Sequence, residues 1–291
     1  MSRPRIALAL GSGGLKGMAH IGVLRALEEA EIWPTLYAGS SAGALVAAAA
    51  ARGLALAELE SVADRLQRVP VFQIDYLSLL RHGLRTPALY RSERLLALCH
   101  ELFRDTTFRE LRTPLVVSTV DVETASPVWW GLNGLPNASI AAAVYASCAM
   151  PGLLPPGRVC DRLCMDGSVA DPLALGALAP LADLVIAVVL EGGSSPPTGR
   201  ADTGAGPSLW LQAQSMVMRD LSRHTIERWD GPPLVAIQVD VSKVHSLRGG
   251  NPQQVIRAGY EAAWKVLEEK LLGCTLNLPR VRGRRQQWLP I

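Results

Sequence analysis

A serine flanked by glycines, between an apolar run and an alanine-rich run, constrains the fold of this chain most strongly. Residues 39–43 fit the pattern G-x-S-x-G, with Ser41 as the central serine. The apolar run 35–38 precedes the pattern, and the alanine-rich run 44–51 follows it. This order predicts a strand, a sharp turn that exposes the Ser41 hydroxyl, and a helix. The flanking glycines would let neighbouring backbone pass where a Cβ atom would clash.

Apolar runs alternate with helical patterns along most of the chain, which predicts an α/β fold. Hydrophobic residues make up 49% of the 291 residues and charged residues 19%, so a large buried core is expected. Short continuous apolar runs are typical of strands that are covered on both faces. We therefore predict a mostly parallel central sheet with helices on both faces. The predicted strands are residues 6–10, 35–38, 115–122, 128–130, 162–165, 185–190 and 234–239, and the predicted helices are residues 18–30, 44–51, 139–147 and 251–272.

Three segments have a less regular pattern. Residues 69–90 mix aromatic and aliphatic side chains with glycine and proline, which fits either a flap over a site or a packed helix with loops. Residues 173–190 are apolar, but Pro180 and Asp183 favour a helix, a turn and a buried strand over a membrane span. Residues 192–208 are rich in Gly, Ser, Thr and Pro, which predicts a long loop.

A glycine-rich stretch at residues 11–17 joins the first predicted strand to the first helix. A dinucleotide-binding fingerprint fails because Lys16 stands where a glycine is needed, and a phosphate-binding loop fails because Lys16 precedes Gly17. The remaining reading is a turn with bare backbone amides at a helix N-terminus, which stabilises negative charge. We therefore predict that the amides of Gly13 and Gly14 bind an oxyanion, with the amide of Ala42 after the serine and with added positive charge from Lys16.

An aspartate at the end of a predicted strand offers a base for Ser41. Asp166 precedes Gly167 at the strand's carboxyl end, the edge of an open α/β sheet where ligands bind. The pKa of a free aspartate is about 4, and apolar surroundings would raise it towards the working pH. Asp171 is an alternative base five residues later. The five histidines show no context typical of a catalytic triad, and His20 is predicted to be a packed or capping residue, so a Ser–Asp dyad fits better.

Charge and cysteine content narrow the possible partners. The net charge of +3 is too small to indicate nucleic-acid binding. The five cysteines have neither a disulfide framework nor metal-site spacing, which predicts buried free thiols, no metal and a reducing compartment. We therefore expect a soluble cytoplasmic protein without a cofactor. The arginines at residues 280–285 form either a frayed tail or a weak anchor for anionic lipid headgroups at the inner membrane surface.

The motifs together resemble those of the patatin-like phospholipases, specifically the short bacterial members. The likeness is carried by residues 11–17, 39–43, 147–151 with Pro155, and 166–172, which occur in the family's order. It covers roughly residues 5–190. The chain differs from the family pattern at Ser168, where Gly or Ala is usual, and at Asp171, where Asn is common.

The resemblance implies a three-layer α/β/α fold in one domain spanning residues 1–291, with a motif-bearing core at 5–190 and a C-terminal strand and helix extension at 191–291. It also implies hydrolysis of lipid acyl esters, in phospholipids or lysophospholipids, through an acyl-enzyme. Ser41 would attack the ester carbonyl, and Asp166 would take the hydroxyl proton and return it to the leaving alcohol. An acyl-thioesterase and a non-catalytic regulatory protein on the same fold are the alternatives, and the sequence leaves the oligomeric state open.

Overall fold

The computed structural model describes residues 4–69, 71–82, 86, 88–131, 135–192, 206–244, 247 and 250–272. Within them, eight strands form one mixed sheet. The strands are β1 (Ile6–Leu10), β2 (Leu36–Ser40), β3 (Leu115–Asp121), β4 (Ser126–Trp130), β5 (Gly157–Val159), β6 (Arg162–Asp166), β7 (Leu184–Glu191) and β8 (Leu234–Asp240). The α-helices are α1 (Ala19–Glu29), α2 (Ala42–Arg52), α3 (Leu56–Arg68), α4 (Tyr76–His82), α5 (Glu93–Phe103), α6 (Ile140–Cys148), α7 (Gly206–Glu227) and α8 (Pro252–Val266).

The centre of the sheet is parallel and one side is antiparallel. Strands β3, β2, β1, β7 and β8 lie in this order and pair in parallel. Strands β4 and β6 both pair antiparallel with β3, and β5 pairs antiparallel with β6. Because the parallel strands need long crossover connections, helices cover the sheet and the carboxyl ends of β1, β2, β3 and β7 share one edge.

Strand β1 divides its side chains between two apolar cores, one on each face of the sheet. Leu8 and Leu10 point into the larger core, which also contains apolar side chains of α1, α2, α5, α6 and α8. Ala7 and Ala9 point into the smaller core, which residues 173–182 cover together with Ile226 at the end of α7. This alternation follows from the two-residue period of a strand. It gives the three-layer α/β/α arrangement that the sequence predicts, although the second layer is thin.

Most of the predicted elements are confirmed, and the exceptions lie in short or composition-biased segments. Strand β5 was missed because it has only three residues at the end of the sheet. The helix expected after residue 173 is only a 3-10 turn, Leu175–Ala177, before β7. The loop expected at 192–208 ends earlier, because α7 begins at Gly206; residues 193–205 of that segment lie outside the described residues.

Two further predictions concern segments that lie partly or wholly outside the described residues. The segment at 69–90 contains α4 and the isolated bridge pairs Ile74–Tyr90 and Ala88–Gly152, while residues 70, 83–85 and 87 lie outside the description. The arginine-rich tail lies entirely outside it. Of the four described cysteines, all are unpaired, but Cys160 is exposed, so the prediction of buried thiols is wrong at that position.

Candidate active site

The turn between β2 and α2 holds Ser41 in a backbone conformation that serine rarely adopts. Ser41 has φ 55° and ψ −125°, and a residue held in such a region costs about 1–3 kcal/mol. The flanking glycines make the turn possible. A Cβ on Gly39 would lie 2.5 Å from the backbone of Gly43, and one on Gly43 would lie 1.9 Å from the carbonyl oxygen of Leu10. The predicted strand, turn and helix are therefore present, with Ser41 at the apex.

A buried serine on α6 holds this turn against the sheet. The backbone amide of Ser41 donates a hydrogen bond of 2.9 Å to Oγ of Ser147. The same hydroxyl donates a bond of 2.7 Å to the carbonyl oxygen of Ser118 on β3. Ser147 therefore links the strained turn to the central sheet. The sequence marked Ser147 only as part of a motif, because its contact with Ser41 spans 106 positions of the chain.

The strand register explains why Asp166 arrives next to this turn. Strand β3 pairs with β2 up to the pair Ser118–Ser40, and with β6 from the next pair, Thr119–Asp166. Strand β4 pairs with residues 117–121 of β3 and so occupies the opposite edge. Strands β2 and β6 therefore lie end to end along one edge of β3, with their carboxyl ends meeting. This arrangement brings together two residues that are 125 positions apart in sequence.

The Asp166 carboxylate is buried and only half engaged. Its Oδ1 accepts a 2.9 Å bond from the amide of Ser168, whereas Oδ2 makes no hydrogen bond within the described part of the chain. Burial raises the pKa of Asp166 to about 6, although contacts with Ser168 and with the Ser41 side chain lower it. The Ser41 hydroxyl is thus close enough to favour the charged carboxylate, but the two do not form a closed hydrogen-bonded pair.

The alternative base, Asp171, is occupied elsewhere. Its Oδ2 accepts bonds from Nε1 of Trp129 (3.0 Å) and from the amide of Gly176 (2.9 Å), and its Oδ1 accepts one from the amide of Leu175 (3.1 Å). Asp171 also does not line the cavity that contains Ser41 and Asp166. Its carboxylate therefore caps the 3-10 turn after it and anchors β4, which are structural tasks.

The glycine-rich loop leaves amides open near Ser41. The amide of Gly11 donates to Val188 (3.0 Å) and that of Ser12 donates to Pro172 (3.1 Å), so the start of the loop is fixed to its neighbours. Toward other described residues, the amides of Gly13, Gly14 and Ala42 make no hydrogen bond. All three residues line the same cavity as Ser41. Open amides at the N-terminal ends of two helical segments form a suitable site for negative charge.

Lys16 lines the same cavity, but its ammonium group is directed to the protein backbone. The side chain is buried, and Nζ donates a 2.8 Å bond to the carbonyl oxygen of Gly192 just after β7. Burial lowers the pKa of Lys16 to about 8. Its positive charge therefore lies in the predicted region, while this bond connects the glycine-rich loop to the end of β7.

No described histidine lines this cavity, so nothing in the described part of the chain supports a Ser-His-Asp triad there. His20 is fully buried, and its Nε2 bonds to the carbonyl oxygen of Gly11 at 2.8 Å. Burial lowers the pKa of His20 to about 4, so the ring is neutral at neutral pH. His20 is the packed residue that the sequence predicts.

The cavity beside Ser41 has a volume of about 150 Å³ and two chemically different sides. One side is apolar and is formed by α2, α3, α5 and the segment after α6. The other side contains polar residues of α7, including Gln214, Arg219 and Ser222. An apolar recess that meets a polar wall at a nucleophile suits an ester with a long hydrocarbon chain.

The described residues lack the features of two other kinds of site. They contain no group of three or more His, Cys, Asp or Glu side chains arranged to hold a metal ion. None of their helices combines the length and the apolar character that crossing a bilayer requires.

Comparison with known proteins places this chain in a family. The sequence model described as patatin-like phospholipase matches residues 8–179, which include Ser41 and Asp166. The chain belongs to the patatin-like phospholipase family.

Two relatives and one solved structure illustrate the likeness. An uncharacterized NTE family protein of Mycobacterium tuberculosis is 36% identical over 202 residues, which are 69% of this chain and 53% of that protein. Patatin-like phospholipase domain-containing protein 6 of Homo sapiens is 31% identical over 213 residues, which are 70% of this chain and 14% of that protein. The chain thus spans about half the length of the mycobacterial relatives that it matches, and far less of the human one. The crystal structure of VipD from Legionella pneumophila matches 92% of this chain and 67% of that chain, with a TM-score of 0.53 and 15% identity, which shows a shared fold.

Proposed function

We propose that this protein is a serine acyl hydrolase that cleaves carboxylic ester bonds of lipids through a Ser41–Asp166 dyad. One observation carries the proposal: a strained serine, a buried carboxylate with a raised pKa and three open amides line one cavity, where the carboxyl ends of β2 and β6 meet. Family membership agrees with this class of substrate. Phospholipids and lysophospholipids are the proposed substrates, because the cavity joins an apolar side to a polar one.

The proposed reaction begins with the attack of Ser41 Oγ on the ester carbonyl. Asp166 accepts the hydroxyl proton through its open Oδ2 and then gives it to the leaving alcohol oxygen. A carboxylate with a pKa of about 6 is ionised at neutral pH, yet holds a proton more readily than an exposed aspartate does. In the second half, Asp166 takes a proton from water while the water oxygen attacks the acyl-enzyme, and Asp166 then gives that proton to Ser41 Oγ as the bond to the fatty acid breaks.

The open amides would stabilise the charge that develops on the carbonyl oxygen. The amides of Gly13, Gly14 and Ala42 are the candidates, because none is used by another described residue. The amide of Ser41 itself is not a candidate, since it is bonded to Ser147. Loss of one such donor typically costs about 3–4 kcal/mol of transition-state stabilisation.

The test compares hydrolysis by the natural protein and by two serine variants, Ser41→Ala and Ser40→Ala. Ser40 is the matched control, because it is the neighbouring buried serine and its hydroxyl has no hydrogen-bond partner in the described structure. The panel contains a short-chain p-nitrophenyl ester, a phospholipid, a lysophospholipid and an acyl thioester, with release of product as the measurement. We expect Ser41→Ala to lose all ester hydrolysis while Ser40→Ala retains it.

Three outcomes would contradict the proposal. Full turnover by Ser41→Ala would remove Ser41 as the nucleophile. Turnover of the thioester alone by the natural protein would assign a thioesterase. Absence of any turnover by the folded natural protein across the panel would favour a non-catalytic protein on this fold.

A further inference from the structure

Helix α4 presents an apolar face to solvent. Tyr76, Leu77 and Leu80 are 71%, 48% and 85% exposed, and with Arg81 they follow the spacing i, i+1, i+4 and i+5. This spacing places the four side chains on one face of the helix. Isolated exposed apolar residues are ordinary on protein surfaces, but three large ones on a single face of a short helix mark an interaction site.

A second exposed apolar pair lies on α7. Met216 and Val217 are 56% and 59% exposed. Their neighbours in sequence, Ser215 and Met218, line the cavity that contains Ser41. On the other side, Val71 and Phe72 line the same cavity a few residues before α4. Both apolar groups therefore border the cavity through the segments that form its wall.

The loop after α6 lies next to both the segment that follows α4 and helix α7. The amide of Leu89 donates a 3.1 Å bond to the carbonyl oxygen of Gly152, which fixes the segment after α4 to this loop. On the same glycine, a Cβ atom would lie 3.9 Å from Cζ2 of Trp210 on α7. Helix α4 with its following segment and the first half of α7 therefore flank one loop, next to the cavity.

The charge around these groups is mainly positive. Arg81 on α4 and Arg219 on α7 are exposed, and neither of them forms a salt bridge with another described residue. The acidic residues beside these groups, Asp75 and Asp220, are paired with Arg91 and Arg223, each at 3.6 Å. Apolar side chains with nearby basic groups are the combination that binds the surface of a membrane with anionic lipids.

We propose that Tyr76, Leu77, Leu80, Met216 and Val217 form a docking surface that binds an anionic phospholipid bilayer and turns the cavity mouth toward it. The inference rests on the proposed function, because a lipid acyl hydrolase must take its substrate out of such a layer. The apolar side chains enter the boundary between headgroups and acyl chains, and the arginines contact the phosphates. Binding is therefore expected to be stronger on anionic than on zwitterionic vesicles and to weaken with added salt.

The experiment measures co-sedimentation of the full chain with vesicles of phosphatidylcholine, with and without phosphatidylglycerol. The double variant Leu77→Ser/Leu80→Ser removes two inserted side chains that do not line the cavity. The matched control is Trp33→Ser, since Trp33 is also exposed (57%) but precedes β2, at the opposite end of that strand from Ser41. Each leucine removed is expected to weaken binding about tenfold. The control should bind as the natural protein does.

A soluble p-nitrophenyl ester separates a failure of docking from a failure of the proposed function. If the chain hydrolyses this ester but the leucine variant binds vesicles normally, the docking surface is wrong and the hydrolase proposal stands. If the chain binds vesicles through these leucines but hydrolyses no ester, the docking proposal survives and the hydrolase proposal fails. Equal loss of binding in Trp33→Ser, or a dimer in solution that the leucine variant dissociates, would overturn the assignment to a bilayer.

Discussion

Replacement of Ser147 by alanine tests how the strained turn at Ser41 is maintained. The hydroxyl of Ser147 satisfies both the amide of Ser41 and the carbonyl of Ser118, at 2.9 and 2.7 Å. Its removal leaves two buried polar groups unpaired, each at a cost of about 1–3 kcal/mol. The free energy of unfolding should therefore fall by at least about 2 kcal/mol.

The variant should also react more slowly, because the position of Ser41 depends on this bond. The Ser147 bond opposes the relaxation of a turn that stores about 1–3 kcal/mol, so Ser41 should move once the bond is lost. A displacement of about 1 Å at a reacting group can reduce the rate about hundredfold. We expect kcat and the rate of labelling by a fluorophosphonate to fall about hundredfold, while KM for a soluble ester stays nearly unchanged.

Ser139→Ala is the matched control for this variant. Ser139 caps the N-terminus of the same helix, α6, by accepting a bond from the amide of Ala142, and loss of such a cap costs about 1 kcal/mol. Urea unfolding reports stability, and labelling kinetics report the position of Ser41. If Ser147→Ala reacts with the fluorophosphonate as fast as Ser139→Ala does, Ser147 does not position the nucleophile.

Other variants test the carboxylates, the pH dependence and the cavity. Asp166→Asn should abolish ester hydrolysis, and retained turnover in this variant would contradict the dyad. The same variant should raise the free energy of unfolding at pH 7 by up to about 3 kcal/mol. This value follows because folding raises the pKa of Asp166 from 3.8 to about 6, and each pKa unit corresponds to about 1.36 kcal/mol. Asp171→Asn should keep the reaction but lower the melting temperature, since three donors lose a carboxylate acceptor, and loss of turnover in the folded variant would reassign the base. Because folding raises the pKa of Asp166, the stability that this residue contributes is complete below about pH 4 and is lost as the pH rises through about 6. Over the same rise, kcat/KM should increase because the carboxylate becomes available as a base. A flat pH profile of kcat/KM in this range would remove Asp166 as the base. Val62→Phe should narrow the apolar side of the cavity and lower kcat/KM for long-chain relative to short-chain esters, by about fourfold for each CH₂ group displaced, and an unchanged ratio would place the acyl chain elsewhere.

The sequence predicted the parts of the site that depend on local order along the chain. Ser41 follows an apolar strand inside a G-x-S-x-G pattern, and Asp166 ends a strand just before Gly167, so their places at strand ends could be read from neighbouring residues. The meeting of the two strand ends could not, because it depends on the antiparallel pairing of β6 with β3. The role of Ser147 was missed for a similar reason, since it arises only when α6 packs against the turn.

Local composition also gave one helix boundary wrongly and left one short strand unrecognised. The run 192–208 is rich in loop-forming residues, but Pro207 is compatible with the first turn of a helix, where its missing amide hydrogen is not needed. Strand β5 is too short to show a clear pattern, and its hydrogen bonds to β6 define it. In both cases a long-range or terminal effect outweighed local propensity.

Labelling of the natural protein with a fluorophosphonate, followed by mass spectrometry of the modified peptide, tests the central claim most directly. We expect one adduct per chain on Ser41, no adduct in Ser41→Ala, and much slower labelling in Asp166→Asn. An adduct on a different residue, or equal labelling of the natural protein and Asp166→Asn, would contradict the assignment of Ser41 and Asp166 as one catalytic unit.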